Sequence, residues 1–357
     1  MMPINVFIVD DSATVRTVLK IILEKDPEIF VLGVAANPDI ALKKMAKQWP
    51  DVIVSDLEMP GMHGLDFLKY LKANHPTPFV VCSSHVGPGA KASIDALALG
   101  AVDIIAKPNI GVESHLEEIS AAITQSVKAA AQVSTRHAST SRNVENIREV
   151  APPAAAQARR NIAVIAVGSS TGGTTVVEYL LKNMTVDMPG VLIVQHMPRH
   201  FTELFAKRLN SVCAIEVKEA EDGDAVMKGR ALIAPGGMHM KLIGSGSNLS
   251  VQVCDTLPVN RHKPSVDVLF RSIANSTTSN RSIGIILTGM GEDGAAGLLD
   301  MRRNGAVTIG QDQASCAVYG MPRAAMELGA VEQQMTYTAM PAFIQQILGV
   351  TKPANGV

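Results

Sequence analysis

Short apolar segments alternate with helical patterns over residues 1–131, and this alternation limits the possible folds more than any other feature. The five predicted strands are Ile4–Val9, Val31–Ala35, Val52–Ser55, Phe79–Cys82 and Val102–Ile105. A helix capped by Ser12 follows the first strand, and further helical patterns lie at Pro38–Lys47, Leu65–Lys72, Lys91–Leu99 and Ser114–Ala131. Five such alternations predict a doubly wound (βα)5 parallel sheet with helices on both faces.

Polar residues follow the predicted strands at the edge where a parallel sheet forms its ligand crevice. Asp10 and Asp11 end the first strand, Asp56 ends the third, Ser83 ends the fourth, and Lys107 follows the fifth. Three converging carboxylates repel one another unless a hard cation neutralises them, and Mg²⁺ prefers such oxygen ligands. Lys107 and Ser83 could then hold the oxygens of an incoming phosphoryl group.

These residues resemble the conserved set of a bacterial response-regulator receiver domain. The motifs are Asp10-Asp11, Asp56-Leu57-Glu58-Met59-Pro60-Gly61, Ser83-Ser84 and Lys107-Pro108. The resemblance implies that a histidine kinase phosphorylates Asp56, and that Asp10, Asp11, Asp56 and the backbone carbonyl of Glu58 surround Mg²⁺. One position departs from the pattern, since Ile104 stands where many receivers carry an aromatic residue.

A change in composition divides the chain of 357 residues into two domains. Residues 132–160 are rich in Ser, Thr, Arg, Asn, Pro and Ala and show no core-forming period, which is typical of a flexible linker. We therefore expect a receiver domain at 1–131, a linker at 132–160 and a catalytic domain at 161–351.

A glycine-rich turn opens the second domain. The apolar run Ile162–Val167 leads into Gly168-Ser169-Ser170-Thr171-Gly172-Gly173, and a helical pattern follows from Thr174 to Met184. The turn fits G-x-S-x-G, in which a serine hydroxyl is exposed on a sharp strand-to-helix bend. The same turn could also hold a phosphate at the helix N-terminus or be purely structural, and taken alone it leaves all three possibilities open.

The residues after the next strands favour serine chemistry. A dinucleotide-binding fold expects an acid after the second strand, but Gln195-His196 stands there, and a Gly-Lys-Ser/Thr phosphate loop is absent. Ser170, His196 and Asp293 each follow a predicted buried strand, so a parallel sheet would bring them to one edge. A serine nucleophile needs such a base, and a carboxylate orients the imidazole.

The second domain is predicted to be a three-layer α/β/α fold with a mostly parallel sheet. We expect an antiparallel excursion between about residues 213 and 260, with Leu249–Cys254 as one hairpin arm, and a helix capped by Ser265. For His239 and Asp267 a packing role is favoured over a catalytic one. Asp267 lies in the first helical turn, where an acid suits the helix dipole.

Five ordered motifs resemble the chemotaxis protein-glutamate methylesterase family. They are Gly168–Gly173, Gln195-His196-Met197-Pro198, Pro235–Met240, Lys263–Asp267 and Leu287–Gly294. The resemblance implies Ser170 as nucleophile, His196 as base, Asp293 as orienting acid, and oxyanion-stabilising amides near Thr171 and Met290. It further implies a cofactor-free esterase that demethylates glutamates and deamidates glutamines on chemoreceptor cytoplasmic helices, and that is activated when its receiver is phosphorylated.

The charge balance and the cysteine spacing argue against several classes of partner and site. A formal net charge of −1 gives no bulk attraction for nucleic acid or an anionic membrane. Four widely spaced cysteines suggest neither disulfides nor a zinc site, and no apolar run reaches the ~18 residues that span a bilayer. We expect a cytoplasmic monomer that does not insert into membranes. The alternative is a response regulator with a non-catalytic nucleotide-binding domain.

Overall fold

The computed structural model describes residues 3–59, 61–84, 88–108, 113–140 and 160–349. The chain divides into two compact units, with the division between Val144 and Glu145. Each unit has its own sheet and its own buried apolar core.

The first unit contains five strands and five helices that alternate along the chain. The strands are β1 Ile4–Val9, β2 Ile29–Ala35, β3 Val52–Ser55, β4 Phe79–Ser83 and β5 Asp103–Ala106. The helices are α1 Ala13–Glu24, α2 Pro38–Met45, α3 Gly64–Asn74, α4 Pro88–Ala98 and α5 Glu113–Thr140. Ser12 caps α1 as expected, since its side chain accepts a hydrogen bond from Val15.

The five strands form one parallel sheet in the order β2-β1-β3-β4-β5. This confirms the predicted doubly wound receiver fold. The chain winds outward in opposite directions from β1 and β3, so the ligand crevice of such a sheet lies beyond the carboxyl ends of these two strands. Asp10 and Asp56 are the residues that follow them.

Helix α5 is longer than the sequence predicted. The expected end was Ala131, but the helix continues to Thr140, so the first nine residues of the expected linker are helical. Ala and Ser are compatible with a helix, so the polar composition of this stretch was not enough to end α5. The remainder of the expected linker, residues 141–159, lies outside the described residues.

The second unit combines nine strands with six α-helices and a short 3-10 turn at Ser279–Arg281. The strands are β6 Val164–Ser169, β7 Gly190–Gln195, β8 Glu216–Glu219, β9 Arg230–Ile233, β10 His239–Ser245, β11 Asn248–Cys254, β12 Ser282–Ile286, β13 Val307–Gln311 and β14 Gln333–Met335. The helices are α6 Gly173–Lys182, α7 Phe201–Val212, α8 Val266–Ala274, α9 Ala295–Arg303, α10 Met321–Glu327 and α11 Met340–Leu348.

Seven of these strands form a parallel sheet in the order β14-β13-β12-β6-β7-β9-β8. The chain moves one way from β6 through β7 and the other way from β12 through β13. Right-handed crossovers in opposite directions place the connecting helices on opposite faces, which gives the expected three layers. The direction reverses between β6 and β12, and this point is where such sheets bind ligands.

The antiparallel part of the second unit is smaller than expected. Among the strands of the described residues, β10 and β11 alone pair antiparallel, as a separate hairpin that includes the predicted arm Leu249–Cys254. Strands β8 and β9, which fall within the expected excursion, instead add parallel strands to the edge of the main sheet. The three-residue strand β14 was not predicted, because three residues carry too little periodicity to be recognised.

No helix among the described residues is long and apolar enough to cross a membrane. None of the four cysteines, all of which lie within the described residues, forms a disulfide.

Candidate active site

Ser170 lies on the sharp turn between β6 and α6, at the reversal point of the larger sheet. Its backbone N–H donates to the carbonyl of Thr288 (3.1 Å), and its own carbonyl accepts from Gly173 N–H (2.8 Å). Gly172 adopts a φ of 74°, which favours glycine and lets the chain turn directly into α6. The turn therefore holds Ser170 against the segment that follows β12.

Gly289 provides the space for this contact. A Cβ atom at Gly289 would lie 2.6 Å from the Cβ of Ser170 and 2.4 Å from the sulfur of Met321. Met290, the next residue, and Thr171, which follows Ser170, are the two expected oxyanion donors. Each of them directly follows one of the two residues, Ser170 and Gly289, that form this contact.

His196 and Asp293 are joined by a hydrogen bond between Nε2 and Oδ2 (2.9 Å). His196 follows β7, and its backbone N–H donates to the carbonyl of Ser169 (2.9 Å), so it lies beside the Ser170 turn. Because Nε2 must carry a proton to donate to the carboxylate, Nδ1 is the basic nitrogen. Nδ1 is buried and has no hydrogen-bond partner among the described residues. The orientation is opposite to that of chymotrypsin, where the carboxylate binds Nδ1.

Asp293 is held by the N-terminus of α8. Its carboxylate accepts from Ser265 Oγ (2.7 Å), from Val266 N–H (2.7 Å) and from Asp267 N–H (3.3 Å). Burial alone would raise the pKa of Asp293, but the hydrogen bonds from His196, Ser265 and Asn260 hold it well below its usual range. The carboxylate therefore remains ionised and fixes the proton of His196 on Nε2.

The expected capping role of Ser265 is wrong in its detail. Ser265 occupies the N-cap position of α8, but its side chain makes no capping hydrogen bond and instead donates to Asp293. The carboxylate of Asp293 satisfies the first amides of the helix in its place. Sequence periodicity could not reveal this exchange, because the two residues are 28 positions apart.

His239 and Asp267 have the packing roles that the sequence favoured. His239 is fully buried, and it accepts from Ser265 N–H at Nδ1 (3.2 Å) and donates from Nε2 to Leu257 O (3.1 Å). Burial lowers its pKa, so the ring is neutral. Asp267 accepts from Gly297 N–H (2.7 Å), which ties α8 to α9.

Three residues at this site were not predicted as functional: Gln195, Asn260 and His262. The side-chain amide of Gln195 donates to the carbonyls of Ser170 (2.9 Å) and His196 (3.2 Å), and so links the two residues through their backbones. In the sequence, Gln195 argued against a ribose-binding acid and stood in the Gln195–Pro198 motif without a role of its own. Asn260 and His262 lie just before the Lys263–Asp267 motif. This proximity was the one sequence signal that could have pointed to them as functional residues.

The first unit contains an acidic pocket at the ends of β1 and β3. Ligand atoms of Asp10, Asp11 and Asp56 lie within 4.8 Å of one another. The ammonium of Lys107 lies 2.7 Å from Asp56 Oδ2 and 3.0 Å from Asp10 Oδ2. Burial alone would lower the pKa of Lys107, but its hydrogen bonds to the two carboxylates raise it above the usual value. In the pocket, the half-buried Lys107 thus pairs with the two buried carboxylates of Asp10 and Asp56, and the exposed Asp11 lies beside them.

The other expected receiver residues line the same edge. Ser83 ends β4 and is buried, and its carbonyl accepts from Lys107 N–H (2.9 Å). The backbone N–H groups of Leu57 and Glu58 both donate to Asp56 Oδ1, at 2.7 and 3.2 Å. Asp56 Oδ2 therefore faces Lys107, while Oδ1 is occupied by backbone donors.

Two family models match this chain. The model for CheB methylesterase matches residues 165–344, and the model for the response regulator receiver domain matches residues 6–120. Both catalytic-domain and receiver motifs lie within these matches. The fold and domain types predicted from the sequence are confirmed.

Relatives match this chain over nearly the whole length of both proteins. A protein-glutamate methylesterase/protein-glutamine glutaminase of Hahella chejuensis is 49% identical over 95% of this chain and 94% of the relative. One of Shewanella oneidensis is 49% identical over 98% of this chain and 99% of the relative. The crystal structure of the Thermotoga maritima CheB methylesterase catalytic domain covers 51% of this chain and 97% of its own, with 33% identity and a TM-score of 0.50. The chain therefore belongs to the CheB methylesterase family, in which it joins a receiver domain to the methylesterase domain.

Proposed function

We propose that Ser170, His196 and Asp293 form the catalytic triad with which this chain hydrolyses methyl esters of protein glutamate side chains and deamidates protein glutamines. Both activities are those of the CheB methylesterase family to which the chain belongs. The alternative of a non-catalytic nucleotide-binding domain is not supported. The observation that carries the residue assignment is the hydrogen bond between His196 Nε2 and Asp293 Oδ2 beside the Ser170 turn.

The reaction follows from the orientation of the imidazole. Ser170 Oγ attacks the side-chain carbonyl of the methylated glutamate while His196 Nδ1 takes the serine proton. The imidazolium is stabilised by Asp293 and then protonates the departing methoxide, which leaves as methanol. Water attacks the resulting glutamyl-serine ester by the reverse transfer, giving glutamate and free Ser170. In deamidation ammonia leaves in place of methanol.

Backbone amides supply the remaining stabilisation. The N–H groups of Thr171 and Met290 are the proposed donors to the oxyanion of the tetrahedral intermediate, because they flank the contact between Ser170 and Gly289. One such donor is typically worth about 3 kcal/mol of activation free energy. No cofactor is required for this step.

Asp56 is the proposed phosphoacceptor of the receiver domain. The donor set suits Mg²⁺, since the carboxylates of Asp10, Asp11 and Asp56 cluster, and the nearly fully buried Asp10 and Asp56 share the single ammonium of Lys107. Together with the Glu58 carbonyl they would hold the ion, which neutralises charge on a phosphoryl group. Lys107 and Ser83 would contact the phosphoryl oxygens. A histidine kinase is the proposed donor.

Phosphorylation is proposed to control access to Ser170. The receiver can act only by stabilising one arrangement of the two domains over another, so phosphorylation of Asp56 shifts the equilibrium towards the arrangement in which Ser170 is accessible. The proposed substrates are cytoplasmic helices of methyl-accepting chemoreceptors, and the proposed setting is a monomer in the cytoplasm.

The test is methanol release from methylated receptor by Ser170→Ala. We expect no release, with phosphorylation of Asp56 intact. Ser211→Ala is the control, because Ser211 is exposed on α7 and donates only to Arg208 O within its own helix. Release by Ser170→Ala at a near wild-type rate would remove Ser170 as the nucleophile.

A further inference from the structure

The loop between β11 and α8 makes a tight turn beside the catalytic histidine. Val259 and His262 exchange backbone hydrogen bonds, at 2.9 and 3.1 Å, with Asn260 and Arg261 as the two central residues. Both central residues have positive φ, 52° and 67°. Such turns favour Asn followed by Gly, so an arginine at the second position keeps a strained backbone. Strained backbone of this kind persists only when other contacts hold it.

The side chain of Asn260 provides those contacts. Its Nδ2 donates to Asp267 Oδ2 (2.8 Å) and to Asp293 Oδ1 (2.8 Å). One amide thereby bridges two buried carboxylates, one of which orients the catalytic histidine. The turn is fixed to the same carboxylate that fixes His196.

The turn places the ring of His262 on the face of the His196 ring. The ring centroids are 3.8 Å apart and the planes differ by 10°. The hydrogen bond to Asp293 holds one edge of the His196 ring but leaves it able to tilt about the bond. A stacked ring opposes that tilt, and so keeps the imidazole and its Nδ1 in one orientation.

The charge state of His262 suits this contact. The pKa of His262 is lowered to about 3, chiefly by burial and also by the neighbouring His196 and Arg261, with Asp293 opposing the change. His262 is therefore a neutral ring throughout the range in which a serine esterase works. The face of a neutral ring attracts a cation, which favours the imidazolium that forms on His196 during acyl transfer.

We propose that His262 and Asn260 are positioning residues of the esterase: His262 stacks on His196 to fix its tilt, and Asn260 anchors the turn to Asp293. This role rests on the proposed catalytic triad. Neither side chain is required to touch the substrate.

The test is the steady-state kinetics of methanol release by the full chain carrying His262→Ala or His262→Phe. A small error in the position of a reacting group can cost about 100-fold in rate. We expect His262→Ala to lower kcat by about 10-fold or more with KM changed by less than about 2-fold. His262→Phe restores a flat ring, so we expect it to recover kcat to within about 3-fold of the wild type.

Asn260→Gly tests the anchor. Glycine accepts the positive φ without strain, so the turn can form while the bridging amide is lost. We expect kcat to fall with KM retained, as in His262→Ala. The imidazole resonances of labelled histidine provide a second readout, since the fixed Nε2–H tautomer of His196 should give way to a mixture in both variants.

Three results would overturn the proposal. They are a wild-type kcat in His262→Ala, a kcat in His262→Phe as low as in His262→Ala, or a loss expressed mainly in KM. Ser170→Ala is measured alongside to distinguish a failure of the proposed triad from a failure of the proposed stacking role. An active Ser170→Ala would remove the triad itself, whereas an inactive Ser170→Ala with a fully active His262→Ala would overturn only the stacking role.

Discussion

Asp293 performs two tasks with one carboxylate. It orients His196 through Oδ2, and it accepts the first amide hydrogens of α8, where a negative charge also suits the helix dipole. The proposed catalytic role of Asp293 and the local stability of the domain are therefore coupled at this residue. A substitution that removes its charge should affect both.

Asp293→Asn tests this coupling. We expect kcat to fall by about 10⁴-fold, as when an orienting aspartate is replaced in a serine protease, because the neutral amide permits the wrong histidine tautomer. We also expect the free energy of unfolding to fall by about 1–3 kcal/mol, because the amide satisfies fewer of the buried donors.

Asp300→Asn is the matched control for that change. Asp300 is half exposed on α9 and lies 3.7 Å from Arg271, a surface pair worth little. Methanol release and urea unfolding should both be near wild type in this variant. Equal losses of activity in the two variants would contradict the assigned role of Asp293.

Lys107 is the residue whose loss should most affect the receiver. Asp10 and Asp56 are almost fully buried, so Lys107→Met would leave two carboxylates without their shared cation. We expect a loss of about 3 kcal/mol in the free energy of unfolding without metal, partly restored by Mg²⁺.

The sole tryptophan makes this loss measurable. Trp49 lies in the receiver and stacks on His75, with centroids 3.7 Å apart, so urea unfolding followed by its fluorescence reports on that domain. Lys20→Met is the control, since its pair with Glu24 is exposed. Equal stability of Lys107→Met and the wild type, with no response to Mg²⁺, would argue against the acidic pocket as described.

His262 gives a pH dependence with a definite sign. Its pKa of about 3 in the folded chain lies below the ordinary value of about 6.5 in the unfolded chain, so only the unfolded chain binds a proton between these values. The free energy of unfolding therefore falls as the pH drops from about 6.5 towards 3.

His262→Phe removes the contribution of His262 to the pH dependence of the free energy of unfolding. Between pH 7.5 and 5 we expect the wild type to lose about 2 kcal/mol more stability than the variant. Amide hydrogen exchange of β6 and β7 peptides in the full chain measures the opening free energy of the catalytic domain. The same pH dependence in both proteins would mean that His262 titrates normally in the folded state.

At the scale of elements, the turn after β12 and the turn after β6 must fit together. Gly289→Ala would place a methyl group 2.6 Å from the Cβ of Ser170, closer than atoms can approach. We expect Ser170 to be displaced and kcat to fall by at least about 10-fold, because the attack geometry is lost. A wild-type kcat, measured by methanol release, would show that the two turns are not in contact.

The elements were largely predictable from the sequence because their signals are local. Each apolar run before Asp10, Asp56, Ser170 and His196 became a buried parallel strand, and the polar residue after it reached the crevice. What could not be predicted depends on contacts between distant residues. Ser265 gave its hydroxyl to Asp293 rather than to its own helix, and no local pattern indicates that His262 stacks on His196.

The same dependence on contacts between distant residues explains the errors in the predicted element boundaries. Composition placed the end of α5 at Ala131, but a polar helix can continue beyond the core that it packs against, and this one reaches Thr140. Strand β8 lies at the edge of the main sheet and β9 is its inner neighbour, and only their pairing partners decide that they run parallel.

At the scale of the whole molecule, two sheets of related topology carry the two proposed reactive oxygens. Each sheet has a point where its winding reverses, and each reversal point holds a candidate site: the acidic pocket around Asp56 and the proposed active site around Ser170. The proposed function couples the two, so that the charge added at Asp56 changes how often Ser170 meets its substrate.

The rate of methanol release from methylated receptor, followed before and after addition of Mg²⁺ and a small acyl phosphate, tests this coupling most directly. We expect the wild type to accelerate, Asp56→Asn to remain at its basal rate, and Ser170→Ala to release no methanol under either condition. An Asp56→Asn chain that accelerates like the wild type, or a Ser170→Ala chain that releases methanol at a near wild-type rate, would contradict the account.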